Sequence, residues 1–295
     1  MAFGMFLRGV VAVVLGLMLG AAGLAQEVLQ SAAQQDPAEK AWEILRNGAH
    51  VSNFEKRANA VQALGLTSGD PAAVQVAEAA LQDKEADVRA AAVKALGAMG
   101  STASTPKLEN LLSDKDISVV LAAAHSLVQL KNKSGYDVYY SVLQGELKGG
   151  QGLFTKQMKE MKRPERAIKF AFDQGIGFLP YAGYGKEALH AWRERSTAPT
   201  RAAAARALAD DPDPRTNRAL AKAVYDKDWV VRAAALEAIA KRGDPVLLND
   251  IKQAMSDKKD IVRFSAAAAV LHLTSIARGS GTRISDGPNG CVSVE

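Results

Sequence analysis

Arginine recurs at fixed spacing in a chain otherwise thin in reactive groups. Arg57 and Arg89 lie 32 residues apart, and Arg201, Arg232 and Arg263 follow one another at intervals of 31. A guanidinium is a planar fork of five donors that matches a carboxylate or a phosphate, so a row of such forks could grip an acidic ligand. The other use of the same row is structural: each arginine pairs with an aspartate of a neighbouring repeat, the candidates being Asp87, Asp228 and Asp260. The structural use is the reading adopted here. An exposed pair of this kind contributes about 0–1 kcal/mol, enough to fix register and too little to hold a fold.

The remaining reactive groups are sparse. The four histidines, His50, His125, His190 and His272, have no metal-ligand spacing, and His125 and His272 fall beside the buried stripe of a helix, as core or boundary histidines do. Gly185-Lys186 is followed by Glu187, and Pro180 stands where a phosphate-cradling loop needs its first glycine. No Gly-x-Ser-x-Gly elbow occurs, and the single cysteine, Cys291, sits in a tail that no scaffold would orient. No catalytic, cofactor or metal residue is therefore assigned, and the chain reads as not an enzyme. A formal charge of +5 is too mild for the concentrated basic stripe of a nucleic-acid binder.

One segment departs from this pattern. Ten of the seventeen aromatic residues lie between Tyr136 and Trp192. Phe178, Leu179, Tyr181 and Tyr184 stand among glycines beside a run that includes Lys162, Arg163 and Arg166. A large apolar side chain left in water forgoes about 1.5–3 kcal/mol of burial, so these residues must pack on something. They either fold back on the segment's own helices or form a wedge that docks on a partner protein or a membrane surface.

The elements that position these residues come from a phrase repeated six times, clearest as Asp83-Lys84-Glu85-Ala86-Asp87-Val88-Arg89-Ala90-Ala91-Ala92. A period near 31 residues signals a solenoid, in which each repeat packs on its neighbours. Each first helix is announced by a cap followed by proline, at Asp36-Pro37, Asp70-Pro71, Thr105-Pro106, Asp213-Pro214 and Asp244-Pro245. Each second helix carries a buried stripe at i, i+3, i+4, i+7, i+8 and i+11, as in Val88, Ala91, Ala92, Ala95, Leu96 and Met99.

The Asp-x-x-Val-Arg-x-x-Ala-x-x-Ala-Leu pattern resembles the HEAT family, and more narrowly its short bacterial repeats of the phycobilisome-lyase type. The resemblance covers residues 36–131 and 197–275. It implies an all-α, right-handed α-solenoid of helix pairs acting as a protein-interaction scaffold. It also brings an alternative, a lyase-like or chaperone protein handling a tetrapyrrole or other cofactor, although only packing positions are shared. The di-iron hydroxylase built on this scaffold carries paired His-Glu motifs, and no His-Glu dipeptide occurs here.

The ends complete the organisation. Arg8 precedes an apolar run from Val10 to Leu24 that closes in small residues, the layout of a signal peptide cleaved after Ala25. The expected divisions are a signal peptide 1–25, N-terminal repeats 26–135, an irregular helical insertion 136–196, C-terminal repeats 197–278 and a disordered tail 279–295. The expected protein is an exported, periplasmic or secreted scaffold with a protein partner, a possible membrane surface and no cofactor.

Overall fold

The structure is a computed structural model that describes residues 36–143 and 197–279. The expected signal segment, the aromatic and basic residues considered for docking (Lys162, Arg163, Arg166, Phe178, Leu179, Tyr181 and Tyr184), His190 and Cys291 all lie outside the described residues. Among the described residues every regular element is helical. In the first block these are α1 (Pro37–His50), α2 (Phe54–Ala63), α3 (Pro71–Ala80), α4 (Ala86–Ala98), α5 (Thr105–Asn110), α6 (Ile117–Gln129) and α7 (Lys133–Leu143). In the second they are α8 (Ala198–Ala207), α9 (Arg215–Ala223), α10 (Trp229–Arg242), α11 (Leu248–Ile251) and α12 (Asp260–Gly279). The fold is an α-solenoid.

The caps form largely as the sequence implies. Asp36 accepts a hydrogen bond from the Ala38 N–H, Asp70 from Ala72 and Ala73, and Asp244 from Val246, each before a proline that opens the helix. Two differ. Thr105 lies inside α5 with Ser104 as the cap, because a 3-10 turn at Thr102–Ser104 carries the chain into the helix early. Pro214 is itself the cap of α9, while Asp213 accepts from the Arg215 N–H two residues on.

The second helices form the core layer. Val88, Ala91, Ala92, Ala95, Leu96 and Met99 are all buried, and so are Arg89, Ala90, Val93 and Gly97, so α4 is covered on most of its circumference. Alanine on several faces lets neighbouring backbones approach closely while keeping the best helix propensity. Left-handed glycines end these helices where a Cβ would be strained: Gly100 after α4 at φ +68° and Gly243 after α10 at φ +66°.

The order of helices in space is not the order in sequence. α8 packs on α10 and α10 on α12; α12 then packs along α1 and α2, which continue through α4 and α6 to α7. The last described helix thus sits in the middle of the described stack. The two blocks meet at a seam formed by α12 with α1 and α2, and residues 144–196 connect the two ends of the stack. α12 is long and apolar enough to cross a membrane, but two-thirds of it (67%) is buried inside the protein. Its apolar surface is explained by having a repeat block on either side.

Candidate binding face

Three of the repeated arginines, Arg57, Arg89 and Arg232, are held in one common way. Arg89 donates from Nε and Nη2 to Asp114, both at 2.8 Å, and from Nη1 to the Asp83 and Lys84 carbonyls at 2.9 and 3.1 Å. Arg57 makes the same set with Asp83 and the carbonyls of Val51 and Ser52. Arg232 makes it with Asp257 and the carbonyls of Asp226 and Lys227. Arg201 reaches Asp226 and, at 2.6 Å, Asp228. One side chain therefore ties its own turn to the next repeat's turn.

This corrects the expected partners. The principal acids are Asp83, Asp114, Asp226 and Asp257; Asp228 adds a contact to Arg201, Asp260 pairs with Arg263, and Asp87 takes no part in the ladder. Each principal aspartate also accepts from the N–H two residues on, as Asp83 does from Glu85 and Asp114 from Asp116, and that local turn fixes the carboxylate beside the preceding helix. Nor are the pairs all at the surface, since Arg57 and Arg89 are only 7% and 5% exposed. With their forks occupied in this way, the ladder arginines serve as joints, and the candidates for contacting a ligand are another set of side chains.

That set lies five residues after each ladder position. In spatial order along the stack it runs Arg206, Glu237, Ala268, Gln62, Lys94 and His125, all preceded by alanine-rich helix. A second row four residues further on contains Asp210, Lys241, His272, Leu66, Ala98 and Gln129. In the C-terminal block, contacts join neighbouring members of each row. Arg206 donates to Glu237 at 2.8 Å and Lys241 to Asp210 at 2.5 Å. Burial, with a smaller contribution from the Lys94 charge, lowers the pKa of His125 and favours the neutral ring. The Tyr139 hydroxyl of α7 approaches His125 Nδ1 at 3.4 Å.

Parts of both rows meet across the seam. The end of α10 touches the 3-10 turn Leu64–Leu66 that follows α2, although α12 stands between those helices in the stack. The seam position of the first row is Ala268, fully buried, so the two walls can close over it. A cleft of about 430 Å³ opens there, lined on one side by Gly65, Leu66, Ser68 and Ala98 and on the other chiefly by Arg206, Glu237 and Lys241. The repeat itself does not mark these residues, because they are not part of what recurs. The signal was present in what does not: one register position holds Arg, Glu, Ala, Gln, Lys and His in otherwise similar helices.

The family profile for HEAT repeats matches residues 42–129 and 187–271, together more than half of the chain. Among solved structures, the chain is similar to the complex of CpcE and CpcF of phycocyanin lyase from Nostoc sp. PCC7120, at 21% identity and a TM-score of 0.32, over 83% of this chain and 95% of that one. An engineered protein is similar at 16% identity and a TM-score of 0.27, over 80% and 97% of the two chains. A designed armadillo repeat protein matches at 16% identity and a TM-score of 0.25, over 81% and 100%. A search of curated proteins gives no match.

Proposed function

The chain belongs to the HEAT-repeat family, and from that premise we propose that it is an exported, non-catalytic scaffold that binds a protein partner on the inner face of its stack. The observation that carries the reading is the row Arg206, Glu237, Gln62, Lys94 and His125. It sets varied polar side chains at one register position of second helices that are anchored in the core by buried residues. Stacked repeats present such a face as one extended binding surface. Mixed charge on it suits a protein segment better than a polyanion, because Arg206 and Lys241 each stand beside an acid, Glu237 and Asp210.

A photo-crosslinking side chain tests this directly. Placed at Gln62 or Lys94 in the producing cell, it should trap one defined partner, and the same group at Glu43, exposed on α1 away from the row, should trap none. Adducts from position 43 alone would sink the proposal. Fractionation of the same cells should place the protein outside the cytosol. The purified protein should be colourless and hold less than one metal ion per chain; visible tetrapyrrole absorbance would favour a cofactor-handling protein instead.

A further inference from the structure

The seam between the blocks has the properties of a binding interface, although both sides belong to one chain. α12 runs antiparallel to α1, fitted to it in shape at one end, and charge pairs to α2 and to the cap of α1 close the two ends. At the α1 C-terminal end the Phe264 ring lies over Gly48 and Ala60. A Cβ on Gly48 would come within 2.5 Å of Phe264 Cε1 and 2.7 Å of the Ala60 Cβ, so only glycine admits the ring. In the other second helices the residue after the ladder arginine is Ala58, Ala90, Ala202 or Ala233, which makes Phe264 particular to this junction. Its burial is nearly complete, at 4% exposed.

The charges close the two ends. Lys56 pairs with Asp260 at 3.2 Å beside Phe264, and Arg278 reaches Asp36, the cap of α1, at 2.6 Å at the far end. The repeating pair is missing here. Val51 occupies the register position that is Asp83, Asp114, Asp226 or Asp257 elsewhere, and Arg263 turns instead to its own Asp257 carbonyl and to Asp260. The covalent connection through residues 144–196 joins the opposite ends of the stack and contributes none of these contacts.

We propose that the α12 face of the C-terminal block is a docking surface whose occupant is the α1–α2 pair of the N-terminal block, and that this surface holds the blocks together without the covalent link. The inner cleft depends on it, since Gly65, Leu66, Ser68 and Ala98 come from one block and Arg206, Glu237 and Lys241 from the other. A closed seam is therefore a condition for a complete inner face, and anything bound across the cleft stabilises the closed seam by the same free energy.

The test uses the full chain, folded first and cut afterwards at a protease site introduced after Gly150. The two fragments should co-elute at micromolar concentration and melt in one transition. Gly48→Leu, which fills the space of the Phe264 ring, should weaken that association at least tenfold. Phe264→Ala, which removes the ring without adding bulk, should weaken it as well and serves if the glycine variant does not fold. Fragments of the parent protein that separate on cutting would overturn the proposal. So would an association that neither variant weakens, because some other surface would then be joining the blocks.

Discussion

The junction between α4 and α6 and the seam between α12 and α2 are both contacts between successive second helices, yet they are built on different chemistry. At the first, Arg89 and Asp114 form a bidentate pair that is nearly sealed from solvent, with side chains 6% and 8% exposed. At the seam the pairs lie nearer the surface, the Lys56 and Arg278 side chains being 52% and 63% exposed, and an aromatic ring fitted against a glycine supplies the specificity. A joint that repeats can reuse one ion pair because each repeat is carried onto the next by the same displacement. A joint made once, between segments distant in sequence, has no such symmetry and is specified by side chains found nowhere else in the stack.

The largest effect that separates the two joints should come from the arginines. Arg89→Ala leaves Asp114 as a buried carboxylate without its fork, and removing one member of a buried pair costs about 3–5 kcal/mol. Arg263→Ala, at the seam, loses a contact to a partly exposed Asp260 and should cost no more than about 1 kcal/mol. Denaturant melts of the two variants measure both. Equal losses would mean that burial does not distinguish these joints as described.

Core packing gives an effect of similar or slightly smaller size. Leu96 is fully buried in α4, so Leu96→Ala should cost about 2–5 kcal/mol through lost burial and an unfilled cavity. Lys94→Ala, on the inner face of the same helix, should leave the melt within about 0.5 kcal/mol while weakening partner capture. A melt that falls equally for both would place Lys94 in the fold and remove it from the binding face.

The fold class, the caps and the buried stripe were legible in the sequence because they repeat. Period and phase alone identify the second helices, and the stripe from Val88 to Met99 is buried as its spacing requires. The seam was not legible in the same way. The sequence shows two blocks with an intervening segment, and nothing periodic in it announces that α12 meets α1 and α2 directly. Its marks were nonetheless present as departures from the repeat: Val51 in an aspartate position, Phe264 in an alanine position and Gly48 inside a helix. The ladder partners were misassigned for a local reason. Aspartates stand at both ends of the charged turn, and only the turn's own hydrogen bonds show that the earlier one faces the preceding helix.

Acid should act in two steps, each touching both kinds of joint. Burial lowers the pKa of His272 on α12, and burial with the Lys94 charge lowers that of His125. The unfolded chain then takes up protons first as pH falls below the ordinary histidine value near 6.5, so stability present above that pH declines through the folded values. The aspartates follow lower down. Burial pushes the Asp83 carboxyl up, but the Arg57 hydrogen bond, the Glu85 N–H and the Arg57 and Lys84 charges together outweigh it and hold the pKa down. For Asp36 at the seam, the Ala38 N–H and Arg278 outweigh burial in the same direction. Stability from both is complete above the ordinary carboxylate value near 3.9 and is lost as pH falls through the lowered values. Melting curves across pH 3–8 should show two declines, and the histidine decline should shrink in a His125→Gln, His272→Gln double variant.

The smallest effect tests whether the seam could have been an ordinary joint. Val51→Asp places an acid where the ladder has one, six residues before Arg57 and opposite Arg263. If α12 and α2 were related as α4 and α6 are, the fork of Arg263 would turn from Asp260 to the new carboxylate and stabilise the protein by up to about 1 kcal/mol, since the site is partly exposed. The seam geometry argues for less. α1 packs along α12, and Phe264 is fitted to Gly48, so the displacement between the two second helices is set by the ring and not by the turn. The expected change in melting temperature is therefore below about 2 °C, with Arg263 still paired to Asp260. A gain of several degrees, lost again in the Arg263→Ala background, would show that the seam has the spacing of the regular joints and lacks only their acid.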